Sequence, residues 1–270
     1  MVALQDYKKH TIWKGTERQI GIAYRLTGEE QGKLVVCLHG LCMNSTIFQN
    51  FAEYFALRRK LFRVLAFDLP GHGFTDPMPN GDYCLDTGVR LLAEGLAESV
   101  NHTVLGYSMG GLYAIRYAAQ YPDRVNSLIL ASISHKTMYK LTLGCVTAEE
   151  ALARIKHSYE KLADCNEKVV PDFSEFAGRR DGQVLSAAFS GMDLSAAEKL
   201  IKENWPDEFD SDLEKISKAN IPVLWLHGEC DNLLSEEDTR EASRKALSSA
   251  PLEFSSKELS RCREVLIISF

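Results

Sequence analysis

The sequence is short of the features that mark a nucleic-acid-binding, membrane or disulfide-stapled protein. It carries 31 Lys and Arg against 37 Asp and Glu, a formal net charge of -6, and the basic residues are scattered rather than gathered in blocks. Nothing in that balance draws nucleic acid or anionic lipid, so neither a nucleic acid nor a membrane is an expected partner. No uninterrupted apolar run approaches the roughly 20 residues that span a bilayer. The first ten residues, with Asp6, Lys8 and Lys9, lack the apolar stretch of a signal peptide. Seven cysteines, Cys37, Cys42, Cys84, Cys145, Cys165, Cys230 and Cys262, form no CxxC pair and no His/Cys cluster at zinc spacing. They read as free thiols in a reducing compartment, with no metal site and a cytoplasmic location as the expectation. Internal repeats and low-complexity segments are missing too.

What is present is enough chain for one large core: 270 residues, 45% hydrophobic, suit a single core with a modest appended lid. Short runs rich in Val, Ile and Leu recur between helical patterns, the mark of strands buried in a mostly parallel sheet with helices on its faces, an α/β architecture. The strands expected are Ile20 to Leu26, Leu34 to Leu38, Arg63 to Phe67, Thr103 to Gly106, Ser127 to Ala131 and Pro222 to His227. The helices between them run over Phe48 to Leu57, Val89 to Val100, Met109 to Tyr121 and Glu236 to Leu247. Between Ser134 and Asn220 the β-rich runs stop. Thr147 and Glu150 make a capping-box pair ahead of an apolar stripe through Leu152, Ile155, Tyr159 and Leu162, and Ser195 and Glu198 repeat the device before Leu200 and Ile201. The organisation expected is therefore a core over 1–133, a helical cap insertion over 134–220, and the rest of the core over 221–270.

The chemistry concentrates in a strand that runs into Gly106-Tyr107-Ser108-Met109-Gly110 and then directly into a helix. In so sharp a turn, side chains two before and two after the serine would strike neighbouring backbone, so Gly106 and Gly110 give the room. Ser108 is pushed up at the carboxyl edge of the sheet, where the free N–H groups of a helix start favour a developing anion. Three further segments end predicted strands: His39-Gly40-Leu41, Asp68-Leu69-Pro70-Gly71-His72-Gly73, and His227-Gly228-Glu229-Cys230-Asp231.

Taken together, these motifs resemble those of the α/β-hydrolase superfamily, and the resemblance extends from about Tyr24 to about Phe254. It implies that Ser108 is the nucleophile and that the N–H groups of Leu41 and Met109 form the oxyanion hole. Asp231 would be the acid that orients a catalytic histidine. His39 would brace its loop, Asp68 and His72 would hold the Gly-rich turn in shape, and His227 would be part of a turn. The segment at Asp68 resembles a DxPGHGxS pattern, with Thr75 where the serine would stand. The activity implied is that of a capped serine hydrolase on a carboxylic ester, thioester or related acyl-type bond. Its partner would be a small-molecule acyl substrate, with no cofactor. The cap would close over the nucleophile, exclude water and choose the substrate.

One departure from the pattern is plain. The histidines are His10, His39, His72, His102, His135, His157 and His227, and none lies in the 39 residues after Asp231 (270 minus 231). A serine hydroxyl is a poor nucleophile until a base takes its proton. Three accounts fit. The end of the chain, after a last strand expected at Leu252 to Ser255, is altered by frameshift or splicing and truncates the core. Alternatively, the scaffold has lost its activity and its pocket binds a ligand or partner. Or the base comes from elsewhere, His135 being the candidate by position.

Overall fold

The computed structural model describes residues 8–11, 20–41, 43–58, 62–78, 81–97, 99, 101–133, 150, 153, 194–203, 209–227 and 236–246. Seven strands form one sheet: β1 (Lys8–Thr11), β2 (Gly21–Thr27), β3 (Lys33–Leu38), β4 (Phe62–Phe67), β5 (His102–Tyr107), β6 (Val125–Ala131) and β7 (Val223–Leu226), in the order β1-β2-β4-β3-β5-β6-β7. The two pairings that involve β2 are antiparallel. The other four are parallel. The six strands expected between Ile20 and His227 are each found within two residues of their expected ends, and the last strand expected at Leu252 to Ser255 lies outside the described residues. The Lys-Lys-His-Thr strand β1 was not expected, because its residues show no apolar alternation.

The period-two geometry of a strand divides the sheet's side chains between two cores. Val36, Leu38, Leu65, Phe67, Val104, Leu128 and Leu130 pack under one layer of helices. Val35, Cys37, Val64, Ala66 and Leu105 face the other way, against Met43, Ile47, Phe48, Ala52 and Ala56. That second side is covered by a continuous run of helical turns: a 3-10 turn (Ser45–Phe48), helix α1 (Gln49–Ala52) and a π-helical stretch (Glu53–Arg58). The sequence reads this run as one helix from Phe48 to Leu57.

On the first side lie α2 (Leu85–Gly95) and α3 (Met109–Gln120). Helix α2 begins four residues earlier than its pattern suggests; Asp82, two residues before its N-cap Cys84, accepts hydrogen bonds from the Cys84 N–H and the Thr87 hydroxyl and ties the approach to the first turn. Three more helices follow, α4 (Leu194–Glu203), α5 (Asp210–Lys218) and α6 (Glu236–Ala246). Phe209, Leu213 and Ile216 beside or on α5, and Ala196 and Ile201 on α4, belong to the same apolar cluster as β3, β5 and β6. Both helices fall within the 134–220 stretch expected as cap, and both are seated on the sheet-side core. Of the expected helix at Ala148 to Leu162, only Glu150 and Ala153 are described, both helical. Among the described residues no helix is long and apolar enough to cross a membrane.

Candidate active site

Strand β5 ends at Tyr107, and helix α3 starts at Met109, so a single residue turns the corner. That residue, Ser108, has φ 51° and ψ -122°, a conformation that L-residues avoid and that persists only where the surroundings hold it. The holding contacts are visible. The Ser108 N–H donates to Ala131 O at 2.9 Å, and Ser108 O accepts from the Gly111 N–H at 2.8 Å. A Cβ on Gly106 would stand 2.6 Å from Gly110 O, and one on Gly110 would stand 2.1 Å from Leu38 O. Only hydrogen fits at either place, so the elbow is dictated by close approach of three backbone segments. Ser108 itself is half-buried at the carboxyl ends of the parallel strands.

The loop after β3 lies against it. A Cβ on Gly40 would stand 3.3 Å from Ser108 Cβ and 3.3 Å from Tyr107 Cδ1. Leu41, next in the chain, is half-buried, and Met109 is buried at the first turn of α3. His39 is fully buried. Its Nε2 accepts from the Leu69 N–H at 2.9 Å, and its Nδ1 donates to Gly40 O at 2.8 Å. Burial, only partly offset by the Gly40 contact, lowers its pKa to about 4, so the ring is neutral at pH 7. The loop after β3 is thereby pinned to the turn after β4.

That turn is built around Asp68, whose buried carboxylate accepts from the Ser45 N–H at 2.7 Å and the Phe74 N–H at 2.9 Å. Burial pushes its pKa up, against the pull of the Ser45 and Phe74 hydrogen bonds and Arg25. Thr75 supplies the hydroxyl of the motif: it donates to Asp68 O and accepts from the Ala23 N–H at 3.0 Å. His72 is buried, with Nδ1 3.0 Å from Pro70 O, and its ring meets that of His39 edge-on with centroids 5.1 Å apart. Asp68 and His72 thus serve the turn, as the sequence suggests. Gly71, at φ 81°, meets α4: a Cβ there would stand 2.1 Å from Ala196 Cβ. The contacts of Ser45, Thr75 and Ala196 escape sequence reasoning, since each joins segments far apart in the chain.

Asp231 and His135 lie outside the described residues. Strand β7 nonetheless ends beside β6, with the Ser132 N–H donating to Leu226 O at 3.0 Å, and the following His227 pairs through Nδ1 with the Thr239 hydroxyl at 3.1 Å. His102 sits at the opposite, amino end of β5, fully buried, with its ring against Tyr117. Among the described residues no group of three or more His, Cys, Asp and Glu stands close enough to hold a metal ion.

Sheet order, elbow and flanking helices are those of the α/β-hydrolase fold, and the family model of that fold matches residues 33–144. The chain has the α/β-hydrolase fold. It is 35% identical over 130 residues to the pimeloyl-[acyl-carrier protein] methyl ester esterase of Chromobacterium violaceum, covering 48% of each chain. To the protein of the same name from Aliivibrio fischeri it is 26% identical over 220 residues, 76% of this chain and 78% of that one. Among solved structures, an esterase from Thermogutta terrifontis matches with TM-score 0.66 at 22% identity, over 88% of this chain and 86% of that one. The chain spans about half the length of several curated relatives it matches: 48% of the Chromobacterium protein and 50% of an uncharacterised Mycobacterium tuberculosis protein.

Proposed function

We propose that the chain is a serine hydrolase acting on a carboxylic ester, thioester or related acyl-type bond. One observation carries the reading: Ser108 is held at a strained strand-to-helix corner, half-exposed, with Gly40 packed against it. Ser108 Oγ would attack the acyl carbonyl and form a tetrahedral adduct, and its oxyanion would be received by the N–H groups of Leu41 and Met109. Collapse would expel the alcohol or thiol, which takes up a proton, and water would then release the acid from the acyl-enzyme. The N-terminal end of α3 adds partial positive charge where the oxyanion forms. Asp231 would orient the base, and the segment from 134 onward would cover the site and choose the substrate. The relatives named as esterases support the reaction class, and their printed substrate, a pimeloyl-carrier methyl ester, is one candidate.

A second reading, a ligand-binding scaffold without turnover, is favoured by what occupies the described histidines other than His10. His39 spends both ring nitrogens on backbone, His72 is buried in its turn, His102 lies at the far end of β5, and His227 is paired with Thr239. A fluorophosphonate probe and p-nitrophenyl acetate separate the two readings. The hydrolase should label at Ser108 and cleave the ester faster than its Ser108→Ala variant. Equal behaviour of the two proteins decides for the scaffold.

A further inference from the structure

Strands β5, β6 and β7 end on one line. Tyr107 is in register with Ala131, and Ala131 with Leu226, so the next residues, Ser108, Ser132 and His227, form a row along the carboxyl rim of the sheet. Two hydrogen bonds tie the row together: the Ser108 N–H donates to Ala131 O at 2.9 Å, and the Ser132 N–H to Leu226 O at 3.0 Å. Ser132, in the middle, leaves its strand much as Ser108 does, with φ 49° against 51°. A non-glycine residue in that conformation is strained, and such strain collects at working sites.

The imidazole at the end of the row has one nitrogen fixed and one open. His227 is half-buried, and its Nδ1 pairs at 3.1 Å with the hydroxyl of Thr239, a buried side chain of α6. Its Nε2 has no hydrogen-bond partner among the described residues. His39, His72 and His102 are buried, and His10 stands on β1, four strand positions away from β5. Two strand spacings, about 10 Å, separate the backbones at Ser108 and His227, a gap that a histidine and a serine side chain bridge with one hydrogen bond between them.

We propose that His227 is the general base of this chain: with Nδ1–H donating to Thr239, its Nε2 takes the proton of the Ser108 hydroxyl across Ser132. This rests on the reading of Ser108 as nucleophile. As Ser108 Oγ bonds to the acyl carbon, its proton passes to Nε2, and the imidazolium gives that proton to the alcohol or thiol as it departs. In deacylation Nε2 takes a proton from the attacking water and returns it to Ser108 Oγ. Thr239 is a positioning residue whose hydroxyl fixes the tautomer. It carries no charge, which leaves Asp231, four residues on in the sequence, to stabilise the imidazolium electrostatically.

The test uses the full chain, p-nitrophenyl acetate and a fluorophosphonate. His227→Gln should lose about 10²-fold or more in kcat and in labelling rate with KM little changed, and His227→Ala should regain at least about tenfold in added imidazole. Thr239→Val should lose about tenfold, and Thr239→Ser should recover most of that loss. A further measurement needs no variant to fold: diethyl pyrocarbonate should modify His227 in the wild type, and a phosphonate on Ser108 should shield it. His227→Gln within about threefold of wild type overturns the assignment alone. So does equal modification of His227 before and after Ser108 is blocked, or a greater loss in His135→Ala than in His227→Gln. A wild type no faster than Ser108→Ala overturns the nucleophile reading and this proposal with it.

Discussion

At the scale of single residues, the elbow stores strain that a substitution can release. Ser108 occupies a backbone conformation that costs a non-glycine residue about 1–3 kcal/mol. Ser108→Ala keeps that strain and should leave the urea midpoint close to wild type. Ser108→Gly relieves it and should be more stable than Ser108→Ala by about 1 kcal/mol, even after glycine's extra entropy in the unfolded chain. If the alanine variant proves the more stable, the corner is not strained. Two glycines, one in the loop before α2 and one at the elbow, separate two kinds of cost. Gly81, at φ 63°, has nothing within 4 Å of an added Cβ, so Gly81→Ala should cost only the left-handed penalty of about 1–2 kcal/mol. Gly110→Ala drives a methyl group into the Leu38 carbonyl, and its backbone cannot step aside without opening the elbow. Loss of more than about 3 kcal/mol, or failure to fold, is the outcome expected in urea titration. The motif residues were legible because such collisions leave glycine no substitute. The partners of the Asp68 carboxylate were not, since Ser45 and Phe74 are joined to it through main-chain N–H groups that any residue type but proline supplies.

At the scale of elements, the helix that carries Ser108 at its start is tied down halfway along by Arg116. Its guanidinium bonds Asp212 on α5 through Nε and Asp86 on α2 through Nη1, the latter at 2.7 Å, and lies over the Phe209 ring. The two carboxylates stand in different surroundings, with side-chain exposures of 5% for Asp212 and 62% for Asp86. Removing Arg116 leaves Asp212 buried with, among the described residues, only Lys215 Nζ at 3.5 Å to compensate it. Arg116→Met should therefore cost about 3 kcal/mol, the range for breaking a buried pair, while Asp86→Ala should cost less than about 1. Comparable losses in the two variants, by urea titration, would show that the α5 contact is no stronger than the exposed one. This three-helix tie explains why α5 was hidden in the sequence. Leu213 and Ile216 are the two buried apolar positions of α5, too few to announce a helix, and its place is fixed by a charge reaching across 96 residues. Strands β2 to β7, by contrast, were legible to within two residues because strands buried in the sheet demand apolar runs, which Lys8–Thr11 of β1 lacks.

At the scale of the whole molecule, folding places two imidazoles where water cannot reach them, and that couples global stability to pH. His39 and His102 are both held near pKa 4, by burial in each case, with the Arg124 cation adding to it at His102. In the unfolded chain both return to about 6.5. Between those values the unfolded state binds protons that the folded state refuses, so stability is fully present above pH 6.5 and drains as pH falls toward 4. With two such groups the slope reaches at most about 3 kcal/mol per pH unit near pH 5. Asp68 works the other way, because its raised pKa lets the folded state take up a proton before the unfolded one does. His102 offers the test, since among the described residues neither of its ring nitrogens has a hydrogen-bond partner. His102→Phe removes one titrating group, deletes two unpartnered buried nitrogens and keeps a ring against Tyr117. Urea titrations at pH 7.5 and 5.0 should show the variant losing roughly half as much stability as wild type across that interval. Parallel losses in the two proteins would mean that the His102 ring accepts its proton in the folded state and that the amino end of β5 is open to water.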